Sequence, residues 1–283
     1  MEQTTQLRPD GYPKATWRLI VDAGPRTGAW NMALDEAIMQ AVGTGEAPPT
    51  LRLYQWDPPC LSLGKRQPLS GVDLEGCWRD GVDVVRRATG GWAILHTDEL
   101  TYSVSALPTD PRAEGAILDA YRRLSAGLVA GLHRLGVPAA MNPVDPFGVH
   151  NTSAACFEVP SAYEVTIGEK KLIGSAQTRP QGRVLQHGSL PLTGDIARVV
   201  NYLWFQTEDD RTALAEHLRE RATTLGDVLG RPVSFEEAAK AIAEGFAEAL
   251  TLDFEPGSYT DAEMEAAERI AQEKADQFVS ALE

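Results

Sequence analysis

Residues 82–96, VDVVRRATGGWAILH, have a strand–loop–strand pattern. Its two apolar runs predict strands, and the ATGG between them predicts a loop. Two glycines at a strand end let a ligand approach the backbone and meet its N–H groups. Arg86 and Arg87 beside the loop would favour a carboxylate, phosphate or carbonyl group. The alternative is a plain glycine turn with solvated arginines, which the spacing alone favours.

The flanking sequence alternates between strand and helix patterns. Before the segment we predict a strand at 17–23, a helix at 28–42, strands at 50–56 and 60–64, and a short helix at 73–80. After it we predict a strand at 99–107, a helix at 113–135, a long loop at 138–161, a hairpin from 163, and a strand at 183–192.

The end of the chain has a helical pattern. Ser234 and Thr260 each precede a glutamate by three residues, which is a capping-box signature. These patterns predict a mixed α/β protein with a main domain at 1–206 and a helical C-terminal extension at 207–283.

Composition excludes several classes of protein. The net charge of −14 does not suit a nucleic-acid binder. No apolar run is long enough to cross a bilayer, and the polar N-terminus resembles no secretory leader, so we expect a cytoplasmic protein with no membrane partner. Three cysteines without a CxxC pair, and five histidines without HxxxH spacing, predict neither a disulfide framework nor a metal site.

Cys156 is the candidate nucleophile because it lies in a polar, irregular stretch, NTSAACFEVPS at 151–161. An exposed cysteine near cations has a lowered pKa and acts as a nucleophile. A free, inert thiol is the alternative interpretation, and it fits Cys60 and Cys77 better because they lie in apolar patterns.

A second candidate motif is KLIGSAQ at 171–177. Lys171 opens a strand, and Gly174, Ser175 and Ala176 are small enough for a ligand or a neighbouring loop to approach. A lysine in a hairpin turn is the alternative, for which Lys170 is equally eligible.

Three histidines are candidates for acid–base chemistry: His96, His150 and His187. A histidine in a strand is more often structural. His150 is the preferred candidate for a general base because it shares the predicted loop with Cys156.

The motifs together resemble the biotinyl/lipoyl protein ligase (lipoate-protein ligase A) family, and most closely its cysteine-dependent octanoyltransferase branch. The resemblance covers about residues 17–192 and rests on five segments in this order: RRATGGWAILH, ELTYS, CFEVPSAYE, KLIGSAQTR and LQHGS. It implies an α+β fold with a mixed, largely antiparallel sheet flanked by helices.

The resemblance also implies an activity. Cys156 matches the acyl-accepting cysteine of the branch, and Lys171 matches the family's lysine. An octanoyl group would pass from octanoyl-acyl-carrier-protein to Cys156, and then to a lysine of a lipoyl domain. The acceptor would be the glycine cleavage H protein or a 2-oxoacid dehydrogenase E2. No ATP, cofactor or metal is implied. The implied substrate-binding residues are Arg86, Arg87, Thr89, Gly90, Gly91, His96, Gly174, Ser175, Ala176 and His187.

The sequence departs from the family pattern at two places. Trp92 stands where many members have a third glycine, and the usual His-Asp pair is widened to His96-Thr97-Asp98.

Other functions stay open. They are an ATP-dependent lipoate-protein ligase, an amidotransferase that moves octanoyl between lipoyl-bearing proteins, and a non-catalytic lipoyl-binding module. A biotin ligase is disfavoured because its GRGRxGR-like loop is absent from the sequence.

Overall fold

The computed structural model describes residues 11–143 and 163–278. The helices are α1 (Gly28–Thr44), α2 (Leu74–Arg79), α3 (Ile117–Arg134), α4 (Glu208–Arg221), α5 (Leu225–Leu229), α6 (Phe235–Leu250) and α7 (Asp261–Asp276). The strands are β1 (Ala15–Val21), β2 (Thr50–Tyr54), β3 (Cys60–Leu63), β4 (Asp83–Arg86), β5 (Ile94–His96), β6 (Glu99–Ala106), β7 (Ala140–Pro143), β8 (Tyr163–Ile167), β9 (Lys170–Thr178), β10 (Val184–Pro191) and β11 (Leu252–Pro256).

Eight strands form the main sheet in the order β11-β1-β2-β6-β10-β9-β8-β7. The β1 strand pairs in parallel with β11 and with β2, and the other neighbours pair antiparallel. A second sheet, β4-β3-β5, holds the two strands of the 82–96 segment on either side of β3. The prediction of a mixed, largely antiparallel sheet flanked by helices is confirmed.

The two faces of the main sheet differ in polarity. Side chains alternate along a strand, so Leu51 and Leu53 join the apolar core with α3 and α6. Arg52, between them, bonds instead to groups on α1. Burial of this polar face under a helix puts charged groups where each of them needs a partner.

The segment after residue 206 is built into the same core. β11 adds an edge strand beside β1, α6 packs on α3, and α7 packs on α1. α6 and α3 cross very closely, since a Cβ on Gly245 would lie 2.1 Å from the backbone nitrogen of Gly131. The predicted C-terminal helices are confirmed, whereas the domain boundary at 206 stays a prediction.

The prediction that 138–161 is entirely loop is wrong at its start. Residues 140–143 form β7, which pairs antiparallel with β8 at the edge of the sheet. Two prolines and an asparagine among six residues hide a strand of only four residues. The predicted helix at 113–135 begins at Ile117, because Gly115 has a positive φ of 79° that ends any helix there.

Within 11–143 and 163–278 no helix is long and apolar enough to span a membrane.

Candidate active site

A cavity of about 330 Å³ opens beside the loop at residues 88–91, which we call the glycine loop. Its walls are largely apolar and include Met32, Trp56, Ile94 and Tyr121. Met32 is buried, whereas Ile117 at the start of α3 also lines the cavity and is 49% exposed, so the cavity runs from the surface into the core. A concave, mostly apolar site with few polar groups is typical of small-ligand binding.

The structure brings most of the predicted substrate-binding residues to this cavity. Those that line it are Arg87, Gly90, Gly91, His96, Gly174, Ser175, Ala176 and His187, together with the predicted catalytic residue Lys171. Thr89 reaches the site through a hydrogen bond to His187. Arg86 does not line the cavity, because its guanidinium donates to the carbonyls of Gly64 and Gln67 at 2.7 and 2.8 Å.

Arg87 organises the glycine loop from inside. Its buried guanidinium donates to the carbonyl oxygens of Ser62, Gly90 and Trp92 at 2.8–2.9 Å. These bonds fix the curvature of the loop that forms the cavity wall. The contacts support a bracing role for Arg87, which the sequence pattern did not distinguish from substrate contact.

A second loop holds the glycine loop from outside. The amide of Lys65 donates to the carbonyl of Thr89 at 2.8 Å. Gly64 lies so close to Gly91 that an added Cβ would be 1.8 Å from the carbonyl oxygen of Gly91. Glycine is required at position 64 by this contact, since any side chain would displace the loop.

His187 connects the loop to α1. Its Nε2 lies 2.7 Å from Thr89 Oγ1, and its Nδ1 lies 3.0 Å from Asp35 Oδ2. A carboxylate on one ring nitrogen fixes the tautomer and the orientation of a histidine. Asp35 therefore positions His187, and His187 positions the loop residue Thr89.

Asp35 is the centre of a buried polar network on the α1 face of the sheet. Besides His187, its carboxylate accepts hydrogen bonds from Arg52, Tyr54 and Ser103 at 2.8–2.9 Å. Burial alone would raise the pKa of Asp35, but the hydrogen bond from His187 and the charge of Arg52 outweigh burial and hold the pKa below its ordinary value. The carboxylate is thus ionised and fully hydrogen-bonded.

A second buried network surrounds Glu99 at the other side of the cavity. Its carboxylate accepts from Ser189 at 2.6 Å and lies 2.8 Å from His96 Nδ1. Burial would raise the pKa of Glu99, but the charge of His96 and the hydrogen bonds from His96, Ser189 and Thr101 hold it below its ordinary value. The ring of His96 stacks on Trp56, with centroids 4.0 Å apart. Glu99 therefore orients His96, and the His96 ring packs against Trp56 in the cavity wall.

Lys171 is buried at the cavity and paired with a carboxylate. Its Nζ lies 2.6 Å from Glu164 Oε1, and the two residues are 4% and 6% exposed. The ion pair holds the end of the Lys171 side chain in a fixed position. A fixed cation at an apolar cavity can polarise a bound carbonyl and stabilise the charge that develops on its oxygen.

The structure describes two of the three cysteines. Cys60 and Cys77 are buried. Burial raises the pKa of the Cys60 thiol well above its ordinary value and that of Cys77 to about 12. Thiols with raised pKa values are poor nucleophiles, so the inert role predicted for both is supported. Cys156 and His150 lie outside the described residues.

Sequence reasoning missed several residues of the site. Glu164 lies in the CFEVPSAYE motif, but a glutamate in a strand pattern gives no sign of its partner. The signal for Asp35 is an acidic residue within the apolar run NMALDEAIM of α1.

In the described part of the chain, no three His, Cys, Asp or Glu side chains cluster in a way that could hold a metal ion.

These features together indicate which kind of ligand the site can hold. A buried lysine and a braced glycine loop at an apolar cavity, on a largely antiparallel sheet, form a site suited to an acyl chain and its carbonyl. Residues 27–247 match the lipoyl protein ligase A/B catalytic domain, and this match crosses the predicted boundary at 206. The chain belongs to this family, so the predicted resemblance is confirmed.

Curated relatives of similar length match most of the chain. An octanoyltransferase LipM of Kyrpidia tusciae is 46% identical over 90% of this chain and 94% of its own length. Another octanoyltransferase LipM, of Symbiobacterium thermophilum, is 44% identical over 92% and 96%. A solved structure of an archaeal lipoylation system from Thermoplasma acidophilum, a bi-partite lipoate protein ligase and its E2 lipoyl domain, superposes with a TM-score of 0.75 at 26% identity, covering 93% of this chain and 94% of that one.

Proposed function

We propose that this chain is an octanoyltransferase of protein lipoylation, which transfers an octanoyl group from octanoyl-acyl-carrier-protein to the lysine of a lipoyl domain. The proposal is supported most strongly by the apolar cavity with the buried Lys171–Glu164 pair, in a chain whose relatives are named octanoyltransferases. The acceptor is the lipoyl domain of a glycine cleavage H protein or of a 2-oxoacid dehydrogenase E2. The cytoplasmic location stays a prediction.

The reaction proceeds in two acyl transfers. The thiolate of Cys156 attacks the carbonyl carbon of the octanoyl thioester, the C–S bond to the carrier breaks, and the carrier thiolate leaves and takes up a proton. The amine of the acceptor lysine then attacks octanoyl-Cys156. An amide forms, the Cys156 thiol is regenerated, and the amine loses its proton. A thioester lies higher in free energy than the amide that is formed from it. The two transfers together therefore run downhill without ATP.

The described residues supply binding and electrostatic stabilisation. The apolar wall takes the alkyl chain, which brings the thioester carbonyl towards Lys171. Paired with Glu164, Lys171 acts as a fixed cation that stabilises the tetrahedral oxyanion. Gly90 and Gly91 are exposed and line the cavity, and within the described residues their amide N–H groups donate no backbone hydrogen bond, so they are candidate oxyanion donors.

The proton that leaves the acceptor amine requires a base. The amine of Lys171 is engaged by a carboxylate 2.6 Å away, which leaves it poorly placed to accept that proton. The ion pair therefore favours the electrostatic role of Lys171 over proton removal. His150 remains the proposed general base.

Transfer to an apo lipoyl domain tests the function and separates it from the alternatives. The purified protein is given either octanoyl-acyl-carrier-protein without ATP, or octanoate or lipoate with ATP, or an octanoylated lipoyl domain. Mass spectrometry of the acceptor reports the modification. We expect an octanoyl adduct with the carrier donor alone. Modification only with ATP would make the protein a ligase, and modification only from the octanoylated domain would make it an amidotransferase. No modification under any condition would favour a binding module.

A further inference from the structure

An open groove lies on the outer side of the glycine loop. It has a volume of about 480 Å³ and is lined by Lys65, Arg66, Gln67, Pro68 and residues 90–92. Residues 90–92 also line the acyl cavity. Residues 90–92 therefore separate the cavity from this cationic groove. A ligand that extends from the cavity past these residues enters the groove.

The groove carries a local positive charge on an acidic protein. Lys65 and Arg66 are both exposed, and no carboxylate is among its lining residues in the described part of the chain. Both side chains are therefore accessible to an anionic ligand in the groove. On a chain with net charge −14, such a groove is a specific point of attraction for an anion.

The neighbouring arginines already donate hydrogen bonds to backbone carbonyl oxygens. Arg86 and Arg87 donate to carbonyl oxygens of the two loops. Arg123 donates to the carbonyls of Arg112 and Glu114. These arginines brace the fold, whereas Lys65 and Arg66 are exposed and line the groove.

The groove holds a fixed position relative to the cavity. The amide of Lys65 donates to the carbonyl of Thr89, and Gly64 packs against the carbonyl of Gly91. Because these contacts use backbone atoms, truncation of the Lys65 and Arg66 side chains leaves them in place. The two side chains therefore start from a loop that is held against the glycine loop in the cavity wall.

We propose that the cationic groove receives the phosphate-bearing pantetheine arm of the thioester donor, and that Lys65 and Arg66 bind its phosphate. The inference rests on the proposed function. When the octanoyl chain fills the cavity, the sulfur of the thioester faces outward, and the rest of the arm passes over residues 90–92 into the groove. Polar amides of the arm meet Gln67 and Thr178, which line the groove. The phosphate at the far end of the arm meets the two cations.

Three donors test the assignment. They are octanoyl-acyl-carrier-protein, octanoyl-coenzyme A, and the N-acetylcysteamine thioester of octanoate, which has neither phosphate nor the rest of the arm. Steady-state transfer to an apo lipoyl domain is compared for the wild type and for Lys65→Ala/Arg66→Ala. Lys240→Ala is the matched control, because Lys240 is an exposed lysine on α6 outside the groove.

The expected result is a rise in KM for both phosphate-bearing donors of about 3- to 10-fold at low salt, with kcat unchanged, because two exposed charge contacts are lost. The rise should shrink as salt screens the contacts. The truncated thioester and the Lys240→Ala control should show no change.

Several results would overturn the assignment. They are an unchanged KM for the phosphate-bearing donors, an equal rise for the truncated thioester, or a rise for the carrier donor alone, which would place the two cations against the surface of the carrier protein. Each presupposes transfer by the wild type. Absence of transfer from every donor would instead refute the proposed function.

Discussion

Replacing Lys171 by methionine separates a catalytic role from a structural one. The substitution keeps a long side chain in the cavity wall but removes the cation. If Lys171 stabilises the oxyanion, its loss should lower kcat by about 10²- to 10³-fold, the usual effect of removing one such group.

The same substitution has a predictable effect on stability. Glu164 is 6% exposed and loses its ion pair with Lys171 at 2.6 Å. Removal of one partner from a buried pair costs about 3–5 kcal/mol. In a chain of 283 residues, 1 kcal/mol corresponds to about 2 °C in Tm. We therefore expect Tm to fall by about 6–10 °C.

A second variant removes the stability effect without restoring the chemistry. In Lys171→Met/Glu164→Gln the unpaired carboxylate becomes a neutral amide, so most of the lost Tm should return while transfer stays low. Lys170→Met is the matched control, because Lys170 is exposed and its ammonium donates only to the carbonyl of Arg219 among described residues. It should keep nearly full activity.

The assays are calorimetry for Tm and initial rates of octanoyl transfer for kcat. Recovery of activity together with stability in the double variant would show that Lys171 only supports the fold. Transfer by Lys171→Met within a factor of a few of the wild type would remove the electrostatic role altogether.

Three further perturbations test other parts of the structure. Asp35→Asn removes the charge shared by Arg52 and His187, so calorimetry should show a Tm lower by about 5 °C or more; an unchanged Tm would mean that the network adds no stability. The pKa of Glu99 is lowered by folding, so its contribution to stability is present above a pH of about 4 and is lost as the pH falls. Glu99→Gln should therefore lose less Tm between about pH 5 and pH 3 than the wild type, and an equally steep loss would exclude Glu99 as a source. Gly64→Ala should displace the glycine loop and lower transfer by about 10- to 100-fold, whereas Gly24→Ala, where a Cβ meets nothing within 4 Å, should not; equal activities would show that the loop position does not matter.

The sequence predicts the local elements around the site well. Period-two patterns and turn residues place the hairpin of β8 and β9, so Lys171 is found near the start of a strand as expected. The glycine loop likewise joins two strands of one small sheet. These features depend on residues close in sequence, where pattern and turn chemistry are informative.

Long-range partners could not be predicted. His187 bonds to Asp35, 152 positions away, and no local pattern links the two. Arg86 and Arg87 look alike in the sequence, yet Arg87 is buried inside the glycine loop and Arg86 reaches the neighbouring loop. Their roles depend on tertiary contacts between two loops. The same is true of β11, which pairs with β1 at the sheet edge although the two strands are far apart in sequence.

A covalent octanoyl intermediate on Cys156 would be visible by intact-mass spectrometry. The protein is incubated with octanoyl-acyl-carrier-protein without ATP or acceptor, and its mass is recorded before and after hydroxylamine. We predict a gain of one octanoyl group that hydroxylamine removes, that Cys77→Ala retains, and that Cys156→Ala lacks. Transfer to the lipoyl domain by Cys156→Ala at the wild-type rate, with no adduct on either protein, would contradict the covalent mechanism.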